Sequence, residues 1–350
     1  MRPTQPSAPR VSVVMAVRDG DRWLSDAVES VLAQSETALE LIVIDDGSTD
    51  RTPALLDALS RSDPRIRVFH QSPAGLAAAL NRGVAEARAP YVARLDADDL
   101  AHVTRLERQV AVMEARQEVG ILGSWALEID GAGRAIGVRE PPADHALLQR
   151  LLAKGNPFVN SSVMARTDLL RRLGGYRVAF EGAEDYDLWL RASEVAELAN
   201  VTEPLVSYRR HSDGVSCRGG LRQAFSVRLA QRAAAARRLR QDDPADRLDG
   251  PPDWRRTLVE GVFYADDVAL YRWLDTADEV LTHGDSTHGA ALIERAGELT
   301  HAERQLAARA LLARMRSRDR SESGCARDLL LRLCRERPST VLRAAWSLRA

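Results

Sequence analysis

Two aspartates spaced by one residue are the first candidates for chemistry in this sequence. Asp96 and Asp98, with Asp99 next, directly follow the apolar run Tyr91–Leu95. Carboxylates are hard oxygen ligands for Mg²⁺ or Mn²⁺, which usually bind one or two of them and take phosphate oxygens and water as the remaining ligands. The alternative interpretation is an acidic helix N-terminus that complements the helix dipole.

A second acidic cluster lies at residues 45–50, Asp-Asp-Gly-Ser-Thr-Asp, and also ends an apolar run. A carboxylate such as that of Asp46 can accept hydrogen bonds from a nucleobase N–H or from ribose hydroxyls. Gly47 permits a tight turn, and Ser, Thr or Asp can cap the next helix. A plain strand-to-helix turn is therefore the alternative interpretation here.

The elements that must position these carboxylates are parallel strands alternating with helices. Val11–Val17 and Leu39–Asp45 are nearly continuous apolar runs, typical of strands buried on both faces, and residues 24–32 between them repeat at helical spacing. Ile66–Phe69 and Tyr91–Leu95 predict two more strands. Ligands of such sheets bind beyond the carboxyl ends of the strands, so both acidic clusters are expected at one crevice.

Further along the chain the pattern becomes mixed and then helical. We predict a domain of α/β class over residues 10–220 and a helical C-terminal domain over 221–350. The predicted elements are a helix at Val103–Arg116, a hairpin at Ile121–Val138, a strand at Asn156–Ala165, a helix at Asp185–Val195 and an edge strand at Val201–Tyr208.

Composition excludes several classes of protein. Of 350 residues, 45% are hydrophobic and 28% are charged, which is typical of a soluble globular protein, and the net charge of −1 gives no reason to expect nucleic acid as a partner. The three cysteines form no CxxC pair, so reduced thiols are expected rather than disulfides or zinc ligation. No run approaches the ~20 apolar residues of a membrane span, and the start lacks a signal peptide's apolar core, so a cytoplasmic location is expected.

Taken together, the motifs resemble the inverting glycosyltransferases of family 2, of the bacterial polysaccharide and glycoconjugate type. The resemblance is carried by Val11–Val17, Ile44–Asp50, Arg94–Asp99, Arg105–Gln109, Gly174–Tyr176, Glu184–Arg191 and Tyr208–His211. It covers about residues 10–215. It implies the GT-A fold, a Rossmann-like, mostly parallel mixed sheet, and a nucleoside-diphosphate sugar as the donor substrate.

Roles for individual residues follow from this resemblance. It implies that Asp46 contacts the base of the donor, that Asp96 lies near the ribose, and that Asp98 ligates the Mg²⁺ or Mn²⁺ that bridges the diphosphate. His211 would supply a further metal ligand or a phosphate contact. The remaining donor contacts are assigned to Val17, Asp19 and Arg210, with Arg209 as an alternative to Arg210.

The catalytic base is expected in the acidic pair Glu184-Asp185. The resemblance implies Asp185, which suits inverting transfer because a carboxylate opposite the leaving nucleotide must remove the proton of the attacking hydroxyl. Glu184 stays open as the rival base, and an acidic helix N-terminus is the structural alternative for both. Asn160 stands where relatives often carry His, in a segment expected to face a glycan or lipid-linked acceptor.

Two other functions compete with the transferase. A phosphotransferase of the haloacid-dehalogenase type also has an Asp-x-Asp after a strand, but Leu100 and the single lysine, Lys154, argue against it. A non-catalytic protein that binds sugar nucleotides or acts as a scaffold on the same fold is the second. It has no need for Asp98, Asp185 and His211 together.

The C-terminal tail is basic. Residues 301–350 contain 12 Arg against 5 Asp and Glu, and Ser339–Leu348 sets Val341, Leu342, Ala345 and Trp346 on one helical stripe. Such a helix can pack against the helical domain. It can also lie on an anionic membrane, which would give peripheral contact with the inner face of the membrane and with lipid-linked acceptors.

Overall fold

The computed structural model describes residues 8–211 and 220–252. The strands are β1 Val11–Val17, β2 Leu39–Asp45, β3 Ile66–His70, β4 Tyr91–Arg94, β5 Leu100–Ala101, β6 Val119–Asp130, β7 Ala135–Arg139, β8 Met164–Arg166 and β9 Glu197–Arg210. The helices are α1 Leu24–Leu32, α2 Thr52–Ser62, α3 Leu76–Glu86, α4 Arg105–Ala115, α5 His145–Leu152, α6 Thr167–Arg172, α7 Glu184–Ala192 and α8 Gly220–Arg238. Short 3₁₀ turns lie at Asn160–Ser162, Val178–Phe180 and Pro244–Arg247.

All nine strands form one mixed sheet. Its order is β3-β2-β1-β4-β8-β6-β9-β5, with β7 paired to the outer part of β6. The first four strands are parallel, whereas β8 runs antiparallel to both of its neighbours. Strands β1, β2 and β4 therefore end at the same edge, and the residues that follow them meet there.

The apolar runs β1 and β2 are interior strands of this sheet and are buried, as expected. All seven residues of β2 and six of the seven in β1 are buried. Leu24, Val28 and Val31, on one face of α1, pack into the same core as these strands. Burial on both faces explains why β1 and β2 read as continuous apolar sequence instead of alternating.

Two predicted strands differ from the structure. The strand predicted at Asn156–Ala165 is wrong over most of its length: a 3₁₀ turn occupies residues 160–162, and only β8 is extended. The side chain of Asn156 accepts from the backbone N–H of Phe158 at 3.0 Å and Ser162 donates to the carbonyl of Val159 at 2.7 Å, and such local bonds compete with strand pairing. The predicted edge strand at 201–208 is part of the longer β9, which pairs with β6 on one side and with β5 on the other.

The chain divides into two units, one ending at His211 and the other beginning at Ser212. The described part of the second unit begins with α8, as the helical pattern from residue 221 predicts. Asp243 then accepts from the backbone N–H of Ala245 at 2.9 Å and so caps the 3₁₀ turn that follows. The domain boundary at 220/221 stays a prediction. The tail helix at 339–348 lies outside the described residues.

None of the helices within residues 8–211 and 220–252 is long and apolar enough to cross a membrane.

Candidate active site

Asp98 and His211 lie together although 113 residues separate them. The imidazole Nε2 of His211 is 2.8 Å from Oδ2 of Asp98, which joins the loop after β4 to the end of β9. Trp23, in the loop after β1, places its ring against that of His211 with the centroids 4.4 Å apart. The guanidinium of Arg209 covers the same indole at 5.4 Å. The predicted metal pair is thus assembled from distant parts of the chain.

Negative charge is crowded at this loop. Burial, together with the charge of Asp96, raises the pKa of Asp98, and His211 opposes the shift. Burial also raises the pKa of Asp99 well above its usual value, and the charges of Asp98 and Asp96 add to the effect. Asp99 accepts from the hydroxyl of Ser161 and, at 2.7 Å, from the backbone N–H of Arg209.

The donor set of this pair fits a divalent cation. A carboxylate oxygen and an imidazole nitrogen suit Mn²⁺, and the carboxylate also suits Mg²⁺. Among the described residues, no group of three His, Cys, Asp or Glu side chains converges as a closed site would require. The pair fits an open site, in which phosphate oxygens and water fill the other positions.

At the end of β2, Asp46 is already engaged by the loop before α3. Its carboxylate accepts from the backbone N–H groups of Ala74 and Gly75 and from the amide of Gln71, each at 2.8 Å. A carboxylate offers about four acceptor positions, so one is left for a ligand. Asp46 therefore fixes the shape of this loop, and its contact with a nucleobase stays a prediction.

Asp19 and Val17 join the loops after β1 and β2. Asp19 has a positive φ of 53°, and its carboxylate accepts from the backbone N–H of Thr49 at 2.7 Å. The carbonyl of Val17 accepts from the backbone N–H of Asp46 at 2.9 Å. Both predicted donor residues thus lie at the correct edge of the sheet, where they hold two loops together.

The base candidates begin helix α7 and are both buried. Oδ2 of Asp185 accepts from the amide of Asn156 at 2.9 Å and from the amide of Asn160, while Oδ1 accepts from the backbone N–H of Tyr186 at 2.6 Å. Oε2 of Glu184 accepts from the backbone N–H of Gly182 at 2.8 Å. The two asparagines therefore hold the carboxylate of Asp185 in a fixed orientation.

Burial gives the two carboxyl groups unusual proton affinities. Burial, reinforced by the charge of Asp185, raises the pKa of Glu184 to about 7. Burial likewise raises the pKa of Asp185, while the positive charge of Arg94 acts in the opposite direction. A carboxyl with a pKa near neutrality is suited to exchange protons during a reaction.

One turn connects the base to the acidic loop. In the 3₁₀ turn at 160–162, Asn160 donates to Asp185, and the hydroxyl of the next residue, Ser161, donates to Asp99 and accepts from the backbone N–H of Asp96 at 3.2 Å. The predicted base Asp185 and the acidic loop after β4 are therefore bonded to the same turn. The sequence predicted that this segment faces the acceptor, and in the structure it is bonded to the base candidate Asp185.

The two arginines near the end of β9 have different surroundings. The side chain of Arg210 is 62% exposed, with Nη1 3.7 Å from Oε2 of Glu128. Arg209 is buried, and its Nε donates to the carbonyl of Asp98 at 2.8 Å. Arg209 thus braces the acidic loop. The phosphate contact assigned to Arg210 stays a prediction.

Sequence reasoning assigned no role to Trp23 or Arg94. Arg94 is buried at the end of β4, and its Nε and Nη2 lie 3.1 and 3.0 Å from Oδ1 of Asp96. The sequence does contain a signal for Arg94. It is a charged residue in an otherwise apolar strand, two residues before Asp96. Nothing local in the sequence distinguishes Trp23, because its partner lies at the far end of the unit.

Comparison with known proteins shows which family this chain resembles. Residues 12–174 match the sequence profile of the family described as Glycosyl transferase family 2. EpsE of Bacillus subtilis (strain 168) is 36% identical over 217 residues, which are 59% of this chain and 75% of that protein. The O-antigen biosynthesis glycosyltransferase WbnJ of Escherichia coli is 30% identical over 206 residues, 58% of this chain and 80% of WbnJ.

Solved structures agree on the fold. TarS of S. aureus in complex with UDP-GlcNAc superposes with a TM-score of 0.55 at 14% identity, covering 93% of this chain and 92% of that one. The mannosyltransferase PcManGT of Pyrobaculum calidifontis in complex with GDP-Man and Mn²⁺ gives a TM-score of 0.52 at 19% identity, covering 93% and 88%. The GT-A fold predicted from the motifs is confirmed. With the family's motifs on that fold, the chain is a glycosyltransferase that belongs to glycosyl transferase family 2.

Proposed function

We propose that this protein transfers a sugar, with inversion, from a nucleoside-diphosphate sugar to a hydroxyl group of a glycan or lipid-linked acceptor. The observation that carries the proposal is the turn at 160–162. The base candidate Asp185 and the acidic loop after β4 are both bonded to this turn and so lie close together. A transferase needs this arrangement because the leaving nucleotide and the attacking hydroxyl must lie on opposite sides of one sugar carbon.

The donor is assigned to the edge formed by the ends of β1, β2 and β4. Asp46, Asp96, Val17 and Asp19 lie at this edge. The complexes of TarS with UDP-GlcNAc and of PcManGT with GDP-Man support a nucleotide sugar as the donor. Asp98 and His211 would hold a Mg²⁺ or Mn²⁺ ion, as the Mn²⁺ in the PcManGT complex supports. When bound, the cation neutralises negative charge on the departing diphosphate.

Asp185 is the proposed general base. Three hydrogen bonds leave one acceptor position on its carboxylate, which can take the proton of the attacking hydroxyl. The amides of Asn156 and Asn160 fix the direction in which this position points. Glu184, with a pKa of about 7, is the rival for the role.

The acceptor is assigned from the relatives. WbnJ is named for O-antigen biosynthesis, and AmsE of Erwinia amylovora, 31% identical over 199 residues, is named for amylovoran biosynthesis. We therefore propose that the acceptor is a growing cell-envelope polysaccharide or its lipid-linked precursor. The reaction would take place in the cytoplasm, at the inner face of the membrane when the acceptor is lipid-linked.

A donor screen tests the proposal. Isothermal titration calorimetry with Mn²⁺ present would measure binding of UDP-, GDP- and dTDP-sugars, and we expect one nucleotide class to bind while the others do not. Transfer is then measured with that donor. Absence of binding to every donor would contradict the proposal, and binding without transfer or donor hydrolysis would favour the non-catalytic alternative.

A further inference from the structure

Arg94 is a buried cation with one nitrogen left over. Its side chain is 6% exposed. Nε and Nη2 bond to a single oxygen of Asp96, at 3.1 and 3.0 Å. Nη1 is buried and has no hydrogen-bond partner among the described residues. A buried hydrogen-bond donor without an acceptor destabilises a fold, so we expect Nη1 to bind an acceptor that is not part of the protein.

The guanidinium is held firmly in this position. The backbone N–H of Arg94 donates to the carbonyl of Val163 at 2.8 Å, and its carbonyl accepts from Nη2 of Arg105 at 2.8 Å. The ion pair with Asp96 fixes the other end of the residue. The backbone of Arg94 and the Nε–Nη2 side of its guanidinium are therefore both bonded within the protein, and Nη1 has no hydrogen-bond partner among the described residues.

Arg94 is also linked, through Asp96, to the turn that bonds to the base candidate Asp185. Asp96, its partner, bonds through its backbone N–H to Ser161, whose neighbour Asn160 bonds to Asp185. Burial alone would lower the pKa of Arg94, but the negative charges of Asp96, Asp185 and Glu184 outweigh burial and raise it. The arginine is thus close enough to the base pair to interact with it electrostatically.

We propose that Nη1 of Arg94 donates a hydrogen bond to a hydroxyl oxygen of the sugar being transferred. The inference rests on the proposed function, in which that sugar lies between the diphosphate at Asp98 and the base Asp185. Arg94 then contacts the sugar, whereas Asp46 and the loops after β1 and β2 contact the nucleotide. Arg94 would contribute to the choice of sugar without contributing to the choice of nucleotide.

The test compares a nucleoside diphosphate with its sugar conjugate. Arg94→Lys keeps a positive charge beside Asp96 but removes Nη1, the nitrogen that is proposed to donate to the sugar. Calorimetry with Mn²⁺ measures UDP against UDP-GlcNAc and GDP against GDP-mannose for wild type and variant. We expect the variant to keep the affinity for the free diphosphate and to lose about 10- to 100-fold for the sugar conjugate, the loss of one hydrogen bond from a charged donor.

Arg191→Lys is the matched control. Arg191 is also a buried arginine paired with an aspartate, Asp187, but each of its nitrogens bonds to protein groups. This variant should lower thermal stability without changing the ratio of the two affinities. The inference is overturned if Arg94→Lys leaves the ratio of the two affinities unchanged. An equal loss of both affinities would mean that Nη1 binds the diphosphate, and no loss of either would mean that it binds neither ligand.

Deoxy donors test the same contact without altering the protein. One monodeoxy analogue of the bound donor sugar should bind wild type about as weakly as the natural donor binds Arg94→Lys. The Arg94→Lys variant should bind this analogue and the natural donor with the same affinity. If every monodeoxy analogue binds wild type like the natural donor, no hydroxyl receives this bond and the inference is wrong. If wild type binds none of the UDP-, GDP- and dTDP-sugars of the donor screen, the proposed function itself fails.

Discussion

At the scale of single residues, the question is whether Asp185 or Glu184 is the better candidate for the general base. The two carboxyl groups are adjacent in sequence, yet Asp185 has three hydrogen-bond donors and Glu184 has one from the backbone of Gly182. Donors stabilise the ionised carboxylate, so Asp185 is the better candidate for the group that is ionised before the acceptor attacks.

Asp185→Asn should lose about 10²- to 10⁴-fold or more in transfer rate, the range of a general base, with donor affinity unchanged. Calorimetry and initial rates measure the two quantities on the same preparation. Glu184→Gln is the comparison. If that variant is inactive while Asp185→Asn transfers sugar normally, Glu184 is the base.

The raised pKa of Glu184 predicts how stability depends on pH. Between about 4.5 and about 7 the folded state binds a proton that the unfolded state has released, so the free energy of unfolding falls as pH rises through this window. Glu184→Gln removes the effect. Its gain in stability over wild type should be near zero at pH 4.5 and reach up to about 3 kcal/mol at pH 8. Urea denaturation at both values measures it, and a gain independent of pH would contradict the prediction.

Asp98→Ala should abolish turnover and weaken nucleotide binding only when Mn²⁺ is present, because we propose that Asp98 holds the cation together with His211, which lies 2.8 Å away. Titrations with Mn²⁺ and with chelator distinguish this from a general loss of the fold. Transfer by the variant at the wild-type rate in chelator would show that the metal assignment is wrong.

At the scale of elements, the strands of the first half could be predicted and the turn at 160–162 could not. Runs such as Leu39–Asp45 are apolar because both faces of β2 are covered, and that signal is local. The turn is polar because Asn160 and Ser161 bond to Asp185 and Asp99, which lie elsewhere in the chain. The acidic residues of the candidate site were predicted from their spacing, whereas the place of Trp23 depends on its contact with His211, which only the fold creates.

The turn after β2 supplies a prediction at this scale. Gly47 has a φ of +74°, and a Cβ added there would lie 2.5 Å from the ring of Pro73. Gly133, in the β6–β7 hairpin, has a φ of +82° with nothing within 4 Å. Gly133→Ala should therefore lose about 1 kcal/mol from backbone strain alone, and Gly47→Ala should lose more, with weaker nucleotide binding. Equal losses in urea denaturation would contradict the steric argument.

At the scale of the whole molecule, the membrane role of the basic tail is a prediction from the sequence. If residues 339–348 lie on a membrane, full-length protein should float with anionic liposomes, and a chain ending near Arg320 should not, since each arginine adds about 1 kcal/mol at such a surface. Neutral liposomes are the control. Equal recovery of both chains would favour packing of the tail against the rest of the helical domain.

The contact of Trp23 and Asp98 with His211 also determines when the site forms during synthesis. Domains generally fold as the chain leaves the ribosome, N-terminal parts first. Strands β1 to β4 can pair once residue 94 has emerged, but the imidazole that contacts Asp98 belongs to His211, which follows Asp98 by 113 residues. A nascent chain can thus pair β1 to β4 well before it has both members of the Asp98–His211 pair. If His211 holds the cation as proposed, activity begins only when the first unit is complete to its last residue, His211.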